Sequence, residues 1–254
     1  MKSHLLLGEG DKALRFYFES PADMLFQGGD TMITQIYSIH SIEEAKMCLD
    51  AGADNIGVAL DTGFRCPREV DFDTCKAIFD YIGDRATKVL IIVSADEQPI
   101  FEYTPLLNPD ILHICGNEFE ANPDMVKRLK ERMPKLEVMQ AVGIPSEGAI
   151  EKAKYFASFC DYIILDSIAS NMTSIGVAGV THDWSVDKAI IDAVVPCKVI
   201  MAGGLGPDNV AEAIRFAHPY GVDSFTKTSD KLPNGDTQKN PEKIRLFVKN
   251  AKEA

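Results

Sequence analysis

Residues 32–60 read MITQIYSIHSIEEAKMCLDAGADNIGVAL. An apolar run of strand length (32–37) gives way to a stretch of helical period, and a second strand-like run (55–60) closes the unit. Ser41 followed three residues later by Glu44 is a capping box that starts the helix, and Gly52 supplies its stop. A strand, a helix and a strand in succession form a βαβ unit, whose two strands lie parallel.

The same alternation continues to the end of the chain. Strand-like runs recur at 88–94 (KVLIIVS), 110–115 (DILHIC), 136–142 (LEVMQAV), 161–166 (DYIILD), 198–202 (KVIMA) and 221–226 (GVDSFT). Helical stretches separate them. One covers 70–82 and a weaker one lies near 97–107. Asn122-Pro123, Ser146, Ser185, Pro207 and Asn240-Pro241 open the others. Runs that stay apolar throughout fit parallel strands buried on both faces. Eight strand-helix units over residues 32–254 predict an α/β protein, a single (β/α)8 TIM barrel, a fold that takes about 250 residues. An open doubly wound sheet is the competing arrangement. Its dinucleotide-binding version lacks support, because no GxGxxG follows the first strand. Residues 1–31 stand outside the count as an N-terminal extension without clear period, containing GEGDK and QGGD. A plug for the barrel bottom, a cover for a neighbour and a short hairpin all remain open for it.

The 254 residues carry 26 Lys and Arg against 38 Asp and Glu, a net charge of −12. That balance argues against nucleic acid or an anionic membrane as partner, though a local basic pocket for a small anion is compatible with it. No apolar run approaches the roughly 18–20 residues of a membrane span, and MKSHLLLGEGDK does not read as a secretory signal. The six Cys form no CxxC, and the five His form no HxxxH or HExxH. Reduced, buried thiols in a cytoplasmic protein are expected, with neither metal nor cofactor.

Barrel chemistry sits where strands end. The polar residues so placed are Tyr37, Ser38 and His40, then Asp61, Arg65, Cys66 and Arg68. Ser94 and Asp96 follow the third strand. His113, Cys115, Asn117 and Glu118 belong to the fourth, and Gln140 to the fifth. Asp166 and Ser167, Gly203 and Gly204, and Thr226, Lys227 and Thr228 complete the rim. His113 and Cys115, two apart on one strand, point the same way and form a possible Cys-His pair if that face is the interior.

Several of these stretches resemble the phosphoribosylanthranilate isomerase family of tryptophan biosynthesis. They are IEEAKMCLDAGADNIGVAL (42–60), CPREV (66–70), IILDS (163–167), GVTHDWS (179–185), AGGLGPDNVAEAI (202–214) and GVDSFT (221–226). HICGNE (113–118) falls where the family has a Gln-Leu-His-Gly-Glu-like run. The resemblance implies a (β/α)8 enzyme that converts a phosphorylated aminoaldose into an aminoketose by an Amadori rearrangement. An acid protonates the ring oxygen and a base removes the C2 proton. It makes Asp166 the acid, and IILDS predicts a buried strand end there, where burial raises a carboxyl pKa. It makes Arg68 the holder of a substrate carboxylate. It makes Gly203, Gly204, Thr226 and Lys227 the phosphate site, with Lys227 and the hydroxyls standing in for a family Ser-Ser-Gly. Gly176 and Gly179 fall in a mobile Gly-rich loop of the family.

The family base is a Cys within Lys-Ile-Cys-Gly, and here that run is Gln35-Ile36-Tyr37-Ser38. A Tyr titrates near pH 10 and is a poor base at neutrality. Tyr37 therefore fills the pocket, serves another substrate, or stays in the catalytic group as a base whose hydroxyl is strongly activated, for example by a neighbouring cation; the other candidate bases are His40, His113 and Cys115. Three functions follow: an isomerase of the family type, a paralogue isomerising or epimerising another sugar phosphate, or a catalytically silent sugar-phosphate-binding barrel. The expected partner is a phosphorylated small molecule, and the expected state is monomer or homodimer.

Overall fold

The computed structural model describes residues 32–64, 68–116, 119–167, 183–233 and 235–254. The proposed extension 1–31, Arg65, Cys66, Asn117, Glu118, Gly176 and Gly179 lie outside the described residues.

Strand and helix alternate: β1 (Ile33–Ile36), α1 (Ile42–Ala51), β2 (Asn55–Ala59), α2 (Phe72–Ile82), β3 (Thr87–Ile92), α3 (Gln98–Leu107), β4 (Ile111–Ile114) and α4 (Pro123–Arg132). The second half continues as β5 (Glu137–Ile144), α5 (Ala149–Ala157), β6 (Tyr162–Ser167), α6 (Trp184–Val194), β7 (Lys198–Met201), α7 (Val210–Ala217) and β8 (Gly221–Ser224). A 3₁₀ turn (Thr226–Thr228) and an antiparallel hairpin, β9 (Ser229–Lys231) and β10 (Thr237–Lys239), precede α8 (Pro241–Lys252). Among the described residues, β1 to β8 form a closed parallel barrel, sealed where Gln35 of β1 pairs with Asp223 of β8. The barrel expectation holds, and the open sheet is excluded.

Local chemistry sets most element ends. The Ser41 hydroxyl accepts the Glu44 N–H and Gly52 stops α1 in the left-handed region at φ 77°. Asn122 caps α4 and Asn240 caps α8, each followed by Pro. Three expected starts shift. Asp183 rather than Ser185 caps α6. Gly148 precedes α5, because the Ser146 hydroxyl donates instead to the Gly143 carbonyl at 2.8 Å. The helix expected from Pro207 begins at Val210, because Asn209 is committed to the preceding turn: its Oδ1 accepts the Gly206 N–H at 2.8 Å.

The period of two along each strand divides the core. Outward residues such as Ile36, Val58, Leu90, Val138 and Leu165 pack under the helices with Phe156 and Phe247. Inward residues Ala59, Val89, Ile91, Ile111, Met139, Ile164 and Ile200 fill the barrel. Each of the larger of these side chains (Val, Leu, Ile, Met, Phe) contributes on the order of 1.5–3 kcal/mol, and Phe156→Ala would cost about 3–5 kcal/mol by opening a cavity. Gln140 belongs to the outer layer: its Oε1 accepts the Ala121 N–H at 2.8 Å, so it supports the β4–α4 connection instead of the strand mouth. The opposite, N-terminal end of the barrel carries a polar cluster, in which Lys198 Nζ donates to Glu137 at 2.8 Å and to the Tyr162 hydroxyl at 3.0 Å. That end reads as stability.

Candidate active site

Tyr37 follows β1 directly and lies on the inward face, buried in the barrel. Its ring lies across Gly57 of β2, where a Cβ would come within 2.3 Å of Tyr37 Cδ1. The absent side chain is what admits the ring. The Tyr37 hydroxyl meets His113 Nδ1 at 2.8 Å and Met139 Sδ at 3.4 Å. Burial, then the charge of Asp223, pushes the phenol well above its ordinary pKa. Burial pulls His113 down to about 3, so its imidazole stays neutral. His113 and Cys115 do share the interior face of β4, but His113 is bonded to Tyr37 rather than paired with Cys115. His113 Nε2 is buried without a partner among the described residues.

Asp223 belongs with this group and escaped the sequence reading. In sequence it is one polar residue within the strand run GVDSFT. Counting by twos from Phe225, which packs on the inner cluster, would have turned it inward. It is buried, and its Oδ1 has no hydrogen-bond partner among the described residues. Burial, then the charge of Asp166, drives its carboxyl well above the usual range, against the pull of Lys239 and Gln35. Gln35 sits beside it on β1 and accepts from Asn55 at 3.1 Å. Asp166, next to last in β6, is partly exposed rather than buried as expected, with Oδ1 accepting the Ser167 N–H at 2.7 Å.

Arg68 adopts φ 59° after β2. Its Nη2 meets Glu44 Oε1 at 2.6 Å, its side chain is 9% exposed, and Nη1 is buried without a partner among the described residues. His40 is exposed and joins this pair through Glu44 Oε2 at 2.9 Å, so it stands with the rim cluster instead of the inward set. Ser94 and Asp61 serve their own turns, donating to the Asp96 carbonyl and accepting from the Gly63 N–H. Asp96 accepts the Gln98 N–H at the start of α3.

Gly203 and Gly204 are both left-handed, at φ 82° and 69°. Only glycine adopts two such steps cheaply, and successive N–H groups in such a turn make an anion cradle. Asn209 Nδ2 ties the Gly204 carbonyl at 3.2 Å. The β8 turn lies against this one, because Gly206 has no Cβ where Lys227 Cβ would stand 2.6 Å away. Ser224 Oγ adds a bond to the Leu205 carbonyl at 2.7 Å. Lys227 is exposed and Thr226 partly so, but Thr228 is buried with its hydroxyl donating to the Phe225 carbonyl at 3.0 Å. Among the described residues, no group of three or more His, Cys, Asp or Glu could hold a metal ion, and no helix is long and apolar enough to cross a membrane.

The sequence profile described as N-(5′-phosphoribosyl)anthranilate (PRA) isomerase matches residues 35–250. The chain belongs to the N-(5′-phosphoribosyl)anthranilate isomerase family. A relative of that name from Methanocella arvoryzae is 33% identical over 181 residues, covering 71% of this chain and 81% of the relative. The phosphoribosyl anthranilate isomerase structure from Thermotoga maritima superposes with a TM-score of 0.71 at 23% identity, covering 88% of this chain and 100% of that one. Another structure of the enzyme, in complex with reduced 1-(o-carboxyphenylamino)-1-deoxyribulose 5-phosphate, superposes with a TM-score of 0.68 at 22% identity, with the same coverage. At these identities the two superpositions establish the fold alone.

Proposed function

We propose that this chain catalyses the family's Amadori isomerisation, converting a phosphorylated aminoaldose that bears an aromatic carboxylate into its aminoketose. The observation that carries the reading is the set of groups on the strand-end face of one barrel. These are the Asp166 and Asp223 carboxyls, the unpartnered Nη1 of Arg68, and the left-handed Gly203-Gly204 turn beside Thr226 and Lys227. Arg68 takes the carboxylate and the two turns take the phosphate, with Thr228 excluded from direct contact by its inward hydroxyl. The phosphorylated analogue bound by a structural neighbour carries both anions at the two ends of one molecule. Such a biosynthetic enzyme, with buried Cys48, Cys75 and Cys160, suits the cytoplasm.

Asp166 donates a proton to the ring oxygen. The acceptor is not Tyr37, whose phenol holds its proton more tightly than usual. Burial, then the charge of Asp166, raises the Asp223 carboxyl well above the usual range, which makes its carboxylate a stronger base than an ordinary one. With the proton on Asp166, that group gives it to the ring oxygen, and the Asp223 carboxylate, on the strand beside Tyr37, takes the C2 proton. His113 and Cys115 shape the cavity behind them.

The Tyr37–His113 bond also favours a second reading, a paralogue acting on a different phosphorylated aminosugar, because it fills space at the end of β1. One experiment separates them. The purified chain is assayed on phosphoribosylanthranilate and used to complement a tryptophan auxotroph lacking this isomerase. Turnover with growth supports the first reading. Turnover of other aminosugar phosphates without growth supports the second.

A further inference from the structure

Glu44 is the third residue of α1, and its capping box alone would leave it a helix-start carboxylate. Its surroundings are different. Its side chain is 4% exposed, and both oxygens are occupied by groups from three separate segments. Oε1 accepts from Arg68 Nη2 at 2.6 Å and from the Lys239 backbone N–H at 3.0 Å. Oε2 accepts from His40 Nδ1 at 2.9 Å. Burial alone would raise its pKa, but Arg68, the Lys239 N–H and His40 outweigh that and hold the carboxylate ionised.

Lys239 carries the connection onward. Its buried Nζ donates to the Phe225 carbonyl at 3.0 Å and lies 3.4 Å from Thr228 Oγ1. The neighbouring Asn240 N–H donates to the Thr228 carbonyl at 3.0 Å. The Thr226–Thr228 turn is therefore clamped from behind by β10, and β10 is docked on Glu44. The same carboxylate oxygen fixes the guanidinium whose other nitrogen, Nη1, is buried without a partner among the described residues.

Building on the two-anion reading of the site, we propose that Glu44 is a positioning residue that sets the separation between the carboxylate seat at Arg68 and the phosphate seat at the β8 turn. One side chain, touching neither anion, holds both receptors. A ligand spanning the two seats is then measured against a fixed length, which selects for the spacing between its anions as well as for their charges.

Two probes read the seats independently: anthranilate for the carboxylate seat and inorganic phosphate for the other, each by titration calorimetry on the full chain. Glu44→Gln keeps the shape and removes the charge. It is expected to weaken both probes by at least about tenfold, in line with lost charge-assisted bonds, and to raise KM more than it lowers kcat. Arg68→Met is expected to weaken anthranilate alone. Lys239→Met keeps the backbone N–H on Glu44 and is expected to weaken phosphate alone. If Glu44→Gln lowers only the melting temperature and leaves both affinities intact at a permissive temperature, the proposal is overturned. Should Glu44→Gln fail to fold, the other two variants decide, and unchanged affinities in both overturn it. Wild-type protein that binds neither probe would overturn the two-anion reading itself, a result distinct from the other failures.

Discussion

The Tyr37 hydroxyl stands 2.8 Å from His113 Nδ1, so a single hydrogen bond joins β1 to β4 through the barrel interior. Both partners are neutral: burial raises the phenol and lowers the imidazole. The bond is structural, which fixes what removing it should do. Tyr37→Phe leaves His113 Nδ1 buried and unsatisfied, at a cost of about 1–3 kcal/mol. Urea unfolding should show that loss. Turnover should stay within about threefold of wild type, because a phenol this reluctant to ionise is no general base. A drop of a hundredfold or more would return Tyr37 to the catalytic group.

Gly57 and Tyr37 form one steric unit. Gly57→Ala pushes a methyl into the Tyr37 ring and should destabilise by about 1–3 kcal/mol, an overpacking cost. Adding Tyr37→Ser should recover the part due to the clash. A double-mutant cycle measures the coupling, and additive effects would mean the ring has another place to go.

Asp166→Asn and Asp223→Asn should each lower turnover by about 10²- to 10⁴-fold, the usual worth of a placed acid or base. Phosphate binding should survive both, since the glycine turns are untouched. The double variant should be little worse than either single one, because the carboxyls act as a unit. An active Asp223→Asn would remove that residue from the mechanism.

Acid should act on His113. Its folded pKa of about 3 lies below an unfolded value near 6.5, so the unfolded chain binds more protons between those limits. Stability should therefore fall as pH drops from about 6.5 toward 3, by up to about 4–5 kcal/mol from this residue. His113→Gln cannot titrate and should flatten that part of the stability profile in thermal melts from pH 7 to 4. An unchanged slope would assign the acid sensitivity to other groups.

The barrel strands were legible because each is a short β-branched run that must be buried on both faces. The helix ends marked by Ser41, Asn122 and Asn240 were legible because capping is local. What escaped lies across the chain. The hairpin β9–β10 is built from SDK and TQK, too short and polar to show a period. Arg68 reads as a rim cation, but nothing near it in sequence signals that Glu44 of α1 takes one of its nitrogens. Asp223 obeys the same two-residue rule that turns His113 and Cys115 inward, but its run GVDSFT carries no apolar alternation to mark the face. Gln140 shows the reverse: its place late in the run LEVMQAV suggests the mouth, but its side chain faces the helices and accepts the Ala121 N–H.

The bond from the Lys239 N–H to Glu44 spans 195 residues of chain. At typical ribosomal speeds of about 5–20 residues per second, α1 waits roughly 10–40 s for its partner to be synthesised. Until β8 is made the nascent chain exposes an unpaired β1 edge, and until Lys239 is made the Glu44 carboxylate lacks one of its three partners. A message truncated just before Lys239 would yield every barrel strand and still lack the last tie that draws Arg68 and the β8 turn together. For this protein, the site is complete only once the chain has been made through β10.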